Sequence, residues 1–131
     1  MKPIHPLIGL PRALPGGFMQ GLQSFGEVWV AEPGQVPPAS LRIWVSSALD
    51  PVNAELIDSL PASLRLIANI GVGYDNIDLQ AAHKRGIAVS NTPVVTEDTA
   101  DLAWALLLSA CRRLSASERF LREGRWAEGD S

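Results

Sequence analysis

The sequence predicts an α/β domain built on a parallel sheet, and three observations carry that reading. Short apolar runs rich in valine, isoleucine and leucine recur through the first 90 residues. Segments of about ten residues with helix start and stop signals lie between them, which is the signature of βαβ units. Apolar residues make up 47% of the chain and charged residues 19%, enough to build a core and too little charge for a disordered chain.

The elements follow in order. Seven of the ten prolines fall within residues 1–40, so the apolar pieces there are short. A strand is expected near Pro6 to Leu10, a short helix around Gly17 to Phe25, and a strand at Glu27 to Ala31. Glu32 to Ser40 reads as a Pro/Gly loop. Leu41 to Val45 is a β-branched and aromatic run that suits a buried strand. Pro51 is placed to open a helix running to about Leu60, because proline is tolerated in the first turn. Leu64 to Ile70 is the next buried strand. A helix from about Ile77 to Arg85 follows, with Asp75 or Asn76 as its cap and Gly86 as its stop, and Ile87 to Ser90 is one more strand. The last third differs. Thr96 is a good N-cap, acidic Glu97, Asp98 and Asp101 open the segment, and Arg112, Arg113, Arg119 and Arg122 load its far end. That polarity suits one long helix from about Glu97 to Glu123, roughly 40 Å long. Its first half is apolar nearly all round, so neighbours are expected to cover it, and Glu118 with Arg122 makes an i,i+4 pair.

Composition bounds the function. Eleven basic and 14 acidic residues give a net charge of −3 with no long block of either sign, which argues against a nucleic-acid partner. The longest apolar stretch, Leu102 to Ala110, is about half of what a bilayer requires, so no membrane span is expected. The amino terminus, Met1 to Pro6, leads into no apolar run of signal-peptide length. The single cysteine, Cys111, cannot form an internal disulfide, fits a reducing cytoplasmic setting, and reads as a small core residue.

The most informative loop is Gly71-Val72-Gly73-Tyr74-Asp75-Asn76-Ile77-Asp78, between a buried strand and a helix. Two glycines let the backbone turn sharply and approach a ligand closely. Loop amides and the free N–H groups of a helix start favour an anion such as a carboxylate or phosphate. A tight strand-to-helix turn with no ligand explains the same residues. The loop is not the dinucleotide fingerprint, because Asn76 stands where a third glycine belongs. His5 and His83 read as solvated side chains, no zinc-type cluster is present, and Ser46-Ser47 suits either a ligand contact or a strand-to-loop turn. Asp50 follows the third strand, where receiver domains carry their phosphorylated aspartate. The first strand, however, brings no acidic pair and the last brings no lysine.

The run LIANIGVGYDNIDLQAAHKRGIAVSNTPVVTEDTADLAWALLLSACRRLSASERFLREGRW, from Leu66 to Trp126, resembles the D-isomer-specific 2-hydroxyacid dehydrogenases, and SSALDPVNAELIDSLP extends the likeness back to Ser46. The segments VTEDTADLA and RRLSASERFLREGRW are most similar to glyoxylate and hydroxypyruvate reductases. The resemblance implies a flavodoxin-like substrate-binding domain over residues 1–95. Residues 96–131 would then be a long interdomain helix and tail toward an NAD(P)-binding Rossmann domain outside this sequence. It implies that the amides of Val72 and Gly73 hold a substrate carboxylate, and that Thr99 and Val72 contact an NADP or NAD cofactor near its nicotinamide. It also implies a small 2-oxo or 2-hydroxy acid as substrate and a homodimer for the complete enzyme. The family's catalytic arginine, glutamate and histidine have no matching position among residues 1–131, so no catalytic residue and no metal ligand is assigned and the chain alone is expected to be inactive. Two readings stay open: part of such a dehydrogenase, or a stand-alone, non-catalytic carboxylate-binding or interaction module.

Overall fold

The computed structural model describes residues 5–127. The first four residues of the stretch read for a leader, and the tail from residue 128 onward, lie outside the described residues. Five parallel strands, β1 (Leu7–Leu10), β2 (Glu27–Val30), β3 (Leu41–Ser47), β4 (Leu66–Ile70) and β5 (Ala88–Ser90), form one sheet in the order β2-β1-β3-β4-β5. That order is the flavodoxin-like one, with its reversal between β1 and β3.

Period-two alternation sorts the strand residues onto two faces, with one register shift between Leu41 and Ile43 of β3 where it pairs with β1. On one face Leu41, Trp44 and Ile67 are buried with Val52, Ile57, Leu64 and Ala82 beneath helices α2 (Ala54–Ser59) and α3 (Leu79–Lys84). On the other face Ile8, Leu10 and Val45 are buried, with Met19 and Leu22 of helix α1 (Gly16–Phe25) packed against them. Apolar burial on both faces is what a parallel sheet requires, and it explains the near-continuous apolar strands.

Several boundaries differ from the sequence reading, each for a visible reason. Pro51 does not open α2. Val52 is held in a bridge with Ile77, its N–H donating to Asn76 O at 2.7 Å while Asp78 N donates to Val52 O at 2.9 Å. The helix therefore starts after Asn53, whose side chain caps it by accepting from Leu56 N at 2.9 Å. The same bridge delays α3: Ile77 is tied to Val52, so Asp78, rather than Asp75 or Asn76, caps the helix by accepting from Ala81 N at 2.9 Å. Gly86, at φ 65, supplies the left-handed stop expected of it. Ser46 and Ser47 belong to β3 itself and not to a turn.

The chain divides into two compact units with the boundary between Pro93 and Val94. In the second unit the expected single helix is two: α4 (Thr96–Cys111) and α5 (Leu114–Arg122), separated where Arg113 adopts left-handed angles, φ 51 and ψ 40. A left-handed residue ends a helix by turning the next N–H groups away from its ladder. Thr96 is the first helical residue and not the cap; Val95 precedes it and no side chain caps the end. No residue of α4 or α5 is buried, and Cys111 is exposed instead of lying in a core. The Glu118–Arg122 pair forms as expected at 2.8 Å, between two exposed side chains, so it contributes little. Among the described residues no helix is long and apolar enough to cross a membrane.

Candidate functional site

The carboxyl ends of parallel strands leave their connecting loops on one edge, where ligands of such folds bind. Here that edge gathers Arg12 after β1, Ser47 and Asp50 at the end of β3, Gly71–Gly73 after β4, and Asn91–Thr92 after β5.

At the reversal point Arg12 Nε donates to Asp50 Oδ1 at 2.9 Å and Arg12 Nη2 donates to Ser47 Oγ at 3.1 Å. Asp50 Oδ2 also accepts from Ser47 Oγ at 2.7 Å and from Ser47 N at 2.9 Å. Burial pushes the Asp50 carboxyl up. The Ser47 hydroxyl, the Ser47 amide and the Arg12 guanidinium with its charge outweigh this, and they hold the group below its ordinary value. A carboxylate occupied in this way is a structural anchor and not a phosphate acceptor. Asp50→Ala is therefore expected to cost about 1–3 kcal/mol at pH 7, with the smaller share from half-exposed Arg12. A carboxyl whose pKa is lower in the folded state stabilises the fold above its unfolded pKa, near 4. That contribution disappears as pH falls through the folded value. Urea unfolding should show the gap between wild type and D50A narrowing from pH 7 to pH 3; an equal gap at both would count against the anchor.

The glycine loop hangs from a second network. Asn69, 1% exposed on β4, donates through Nδ2 to Gly73 O at 2.7 Å. Its Oδ1 accepts from Ser46 Oγ at 3.1 Å and from Asn76 Nδ2 at 3.3 Å. Asn76 Nδ2 also reaches Ser47 O and Asp50 O, at 3.0 and 2.9 Å, which joins the loop to the Arg12–Asp50 anchor. On the other side Asn91 Nδ2 donates to Val72 O at 2.8 Å, Gly71 N donates to Thr92 Oγ1 at 2.8 Å, and Thr92 N donates to Gly71 O at 2.9 Å.

The two glycines do different work. Gly71 lies at φ 149, a region costly for any residue with a side chain, so it makes the turn. Gly73 has no such angle, and a Cβ there would meet nothing within 4 Å, so it leaves the loop open to approach. Val72, Gly73 and Tyr74 are exposed, and among the described residues no group accepts from their N–H groups. The start of α3 lies beyond the glycines, at Leu79, and Asp78 already serves its cap.

Of the residues the sequence singles out, Val72 and Gly73 lie together on this edge. Thr99 belongs to the second unit, on α4, where its hydroxyl donates to Val95 O at 2.7 Å. His83 is exposed at the end of α3, and among the described residues no group of His, Cys, Asp and Glu is arranged to hold a metal. Asn69, Asn91 and Thr92 were not read from the sequence. A lone polar residue inside the apolar strand LIANI is the signal that marks Asn69, since a buried amide must find partners.

A flavodoxin-like α/β unit with an amide-lined loop at the carboxyl edge of its sheet is the class that fold and site define. Residues 35–124 match the family described as D-isomer specific 2-hydroxyacid dehydrogenase, catalytic domain, and the chain belongs to it. The glyoxylate reductase of Korarchaeum cryptofilum is 53% identical over 83 residues, covering 63% of this chain and 25% of the relative. That of Thermococcus litoralis is 37% identical over 136 residues, covering 97% of this chain and 41% of the relative. The chain thus spans well under half the length of these curated relatives. Among solved structures, the NADPH-dependent glyoxylate/hydroxypyruvate reductase of Sinorhizobium meliloti, in complex with NADP and malonate, matches with a TM-score of 0.68 and 34% identity. The match covers 95% of this chain and 40% of that one.

Proposed function

We propose that this chain forms the substrate-carboxylate subsite of an NAD(P)H-dependent 2-oxoacid reductase of the glyoxylate or hydroxypyruvate type, working as a homodimer in the cytoplasm. One observation carries the reading: Val72 and Gly73 are exposed and, among the described residues, no acceptor uses their N–H groups, while the carbonyls of Gly71, Val72 and Gly73 are all occupied. Two amide donors suit the two oxygens of a carboxylate, and donors fixed in advance lose little on binding. The 34% identical reductase structure with malonate, itself a dicarboxylate, supports the same ligand class. Exposed Val72 offers an apolar surface for a nicotinamide ring, and the Thr99 hydroxyl keeps its acceptor lone pairs after donating to Val95 O. The nicotinamide, when bound, supplies the hydride. The chain's own residues hold the acid and fix its carboxylate.

Titrating the ¹⁵N-labelled chain with oxalate or glyoxylate should move the amides of Val72 and Gly73 first. The same preparation should show no oxidation of NADPH with glyoxylate or hydroxypyruvate, because no acid/base is assigned within it. Shifts confined to His83 and Lys84 would mark nonspecific anion binding and defeat the carboxylate reading.

A further inference from the structure

Three successive carbonyls of the loop are held by protein donors: Gly71 O by Thr92 N at 2.9 Å, Val72 O by Asn91 Nδ2 at 2.8 Å, and Gly73 O by Asn69 Nδ2 at 2.7 Å. A trans peptide is planar, with its C=O and the following N–H pointing to opposite sides. No cis peptide occurs among the described residues. Holding the Gly71 carbonyl therefore sets the direction of the Val72 N–H, and holding the Val72 carbonyl sets that of Gly73. Holding the Gly73 carbonyl sets that of Tyr74.

The Val72–Gly73 plane is in need of restraint. It is flanked by glycine on its carboxyl side, where rotation is cheap, and a side chain at Gly73 would touch nothing that could limit it. Asn91 supplies the restraint from a fixed base. Its neighbour Thr92 is tied to Gly71 twice, by Gly71 N to Thr92 Oγ1 and by Thr92 N to Gly71 O. The donor is thereby kept at one distance from the loop.

We infer that Asn91 is a positioning residue of the carboxylate site: through the Val72 carbonyl it aims the Gly73 N–H at the ligand. The inference rests on the carboxylate reading above and deepens it, since it separates the amide that Asn91 controls from the one that Thr92 controls. Asn69 restrains the next peptide plane in the same way, through the Gly73 carbonyl.

The test uses the full chain with Asn91→Leu, which keeps the branched shape and removes the donor, and Asn91→Ala beside it. In the free N91L chain the Gly73 amide should lose order on the picosecond–nanosecond timescale while Val72 does not. Oxalate should bind about tenfold more weakly, as for loss of one charge-assisted hydrogen bond. The response of Gly73 should shrink, that of Val72 should persist, and the unfolding midpoint should stay near that of wild type. If the responses of Val72 and Gly73 fall together with stability, Asn91 is merely structural and the inference is overturned. If wild type binds oxalate and both variants bind it equally well, the positioning role fails while the carboxylate site stands. If neither amide of wild type responds, the carboxylate reading fails and takes the inference with it.

Discussion

Gly73→Val should abolish the response of the loop to oxalate or glyoxylate and leave the fold intact. The expectation joins two facts that point in different directions for most glycines. A Cβ at Gly73 meets no protein atom within 4 Å, and the backbone there is not in the left-handed region, so valine strains nothing in the protein. The space it fills is the space beside the Gly73 N–H. Two branched methyl groups at that point crowd out an oxygen that must come within about 3 Å of the nitrogen. Losing one hydrogen bond to a charged group costs about 1.5–3 kcal/mol, roughly ten- to a hundredfold in Kd. Gly71 makes the contrast. At φ 149 any side chain is strained, so Gly71→Val should lower stability as well as binding. Thermal unfolding and the oxalate titration together separate these cases. A G73V chain that binds oxalate within about twofold of wild type would falsify the assignment of this amide.

What the sequence made legible was what local chemistry dictates. The strands announce themselves because each is a short apolar run, the central β1, β3 and β4 carrying the buried residues, and their alternation with short helices leaves little freedom except a parallel sheet. Gly71 and Gly73 mark the loop by themselves. The exposed Glu118–Arg122 pair follows from spacing alone. The helix starts were missed because a long-range contact decides them: the bridge between Val52 and Ile77 joins residues far apart in the chain, and each of the two helices must begin beyond it. Local capping rules then choose among what remains, which is why Asn53 caps a helix that the sequence pattern opens at Pro51, and Asp78 caps one whose expected cap is Asp75 or Asn76. The break at Arg113 had no signal, since no glycine or asparagine stands there to favour the left-handed angle.

The candidate site shows the same division. Val72 and Gly73 were legible as amide donors because glycine spacing after a buried strand is a local pattern. The residues that hold them were not. Asn91 comes from a different strand end, and its partner carbonyl lies 19 positions away. Asn69 lay in plain view as the single polar residue of an apolar strand, yet only the register that sets it beside Ser46 shows which atoms it must satisfy. The Arg12–Asp50 pair spans 38 positions, so the sequence alone sets the receiver reading of Asp50 aside without showing the arginine that holds it.

Helix α4 should prove the least protected part of the molecule, and the chain should self-associate through it. Leu102, Trp104, Leu106, Leu107 and Leu108 are between 52% and 63% exposed, and at about 100° per residue they point in nearly every direction around the helix. A helix of 16 residues with nothing buried lies close to the length at which isolated helices are only marginally stable in water. Full burial of one large apolar side chain stabilises by about 1.5–3 kcal/mol, so covering two or three of these would match a substantial part of a domain's net stability. Ala100 and Ala103 beside Trp104 and Leu107 form a shallow hollow into which another helix can close. Sedimentation should therefore show dimers or larger species at micromolar concentration, and Trp104→Glu should shift them toward monomer by placing a charge in that hollow. In dilute W104E, amides from 99 to 123 should exchange far faster than those of β3 and β4, whose strands are paired on both sides. A wild-type chain that stays monomeric with strong protection throughout α4 would overturn this expectation. It would favour the stand-alone module over a piece of a larger dehydrogenase, because only a helix already satisfied by its own surroundings resists exchange without a partner.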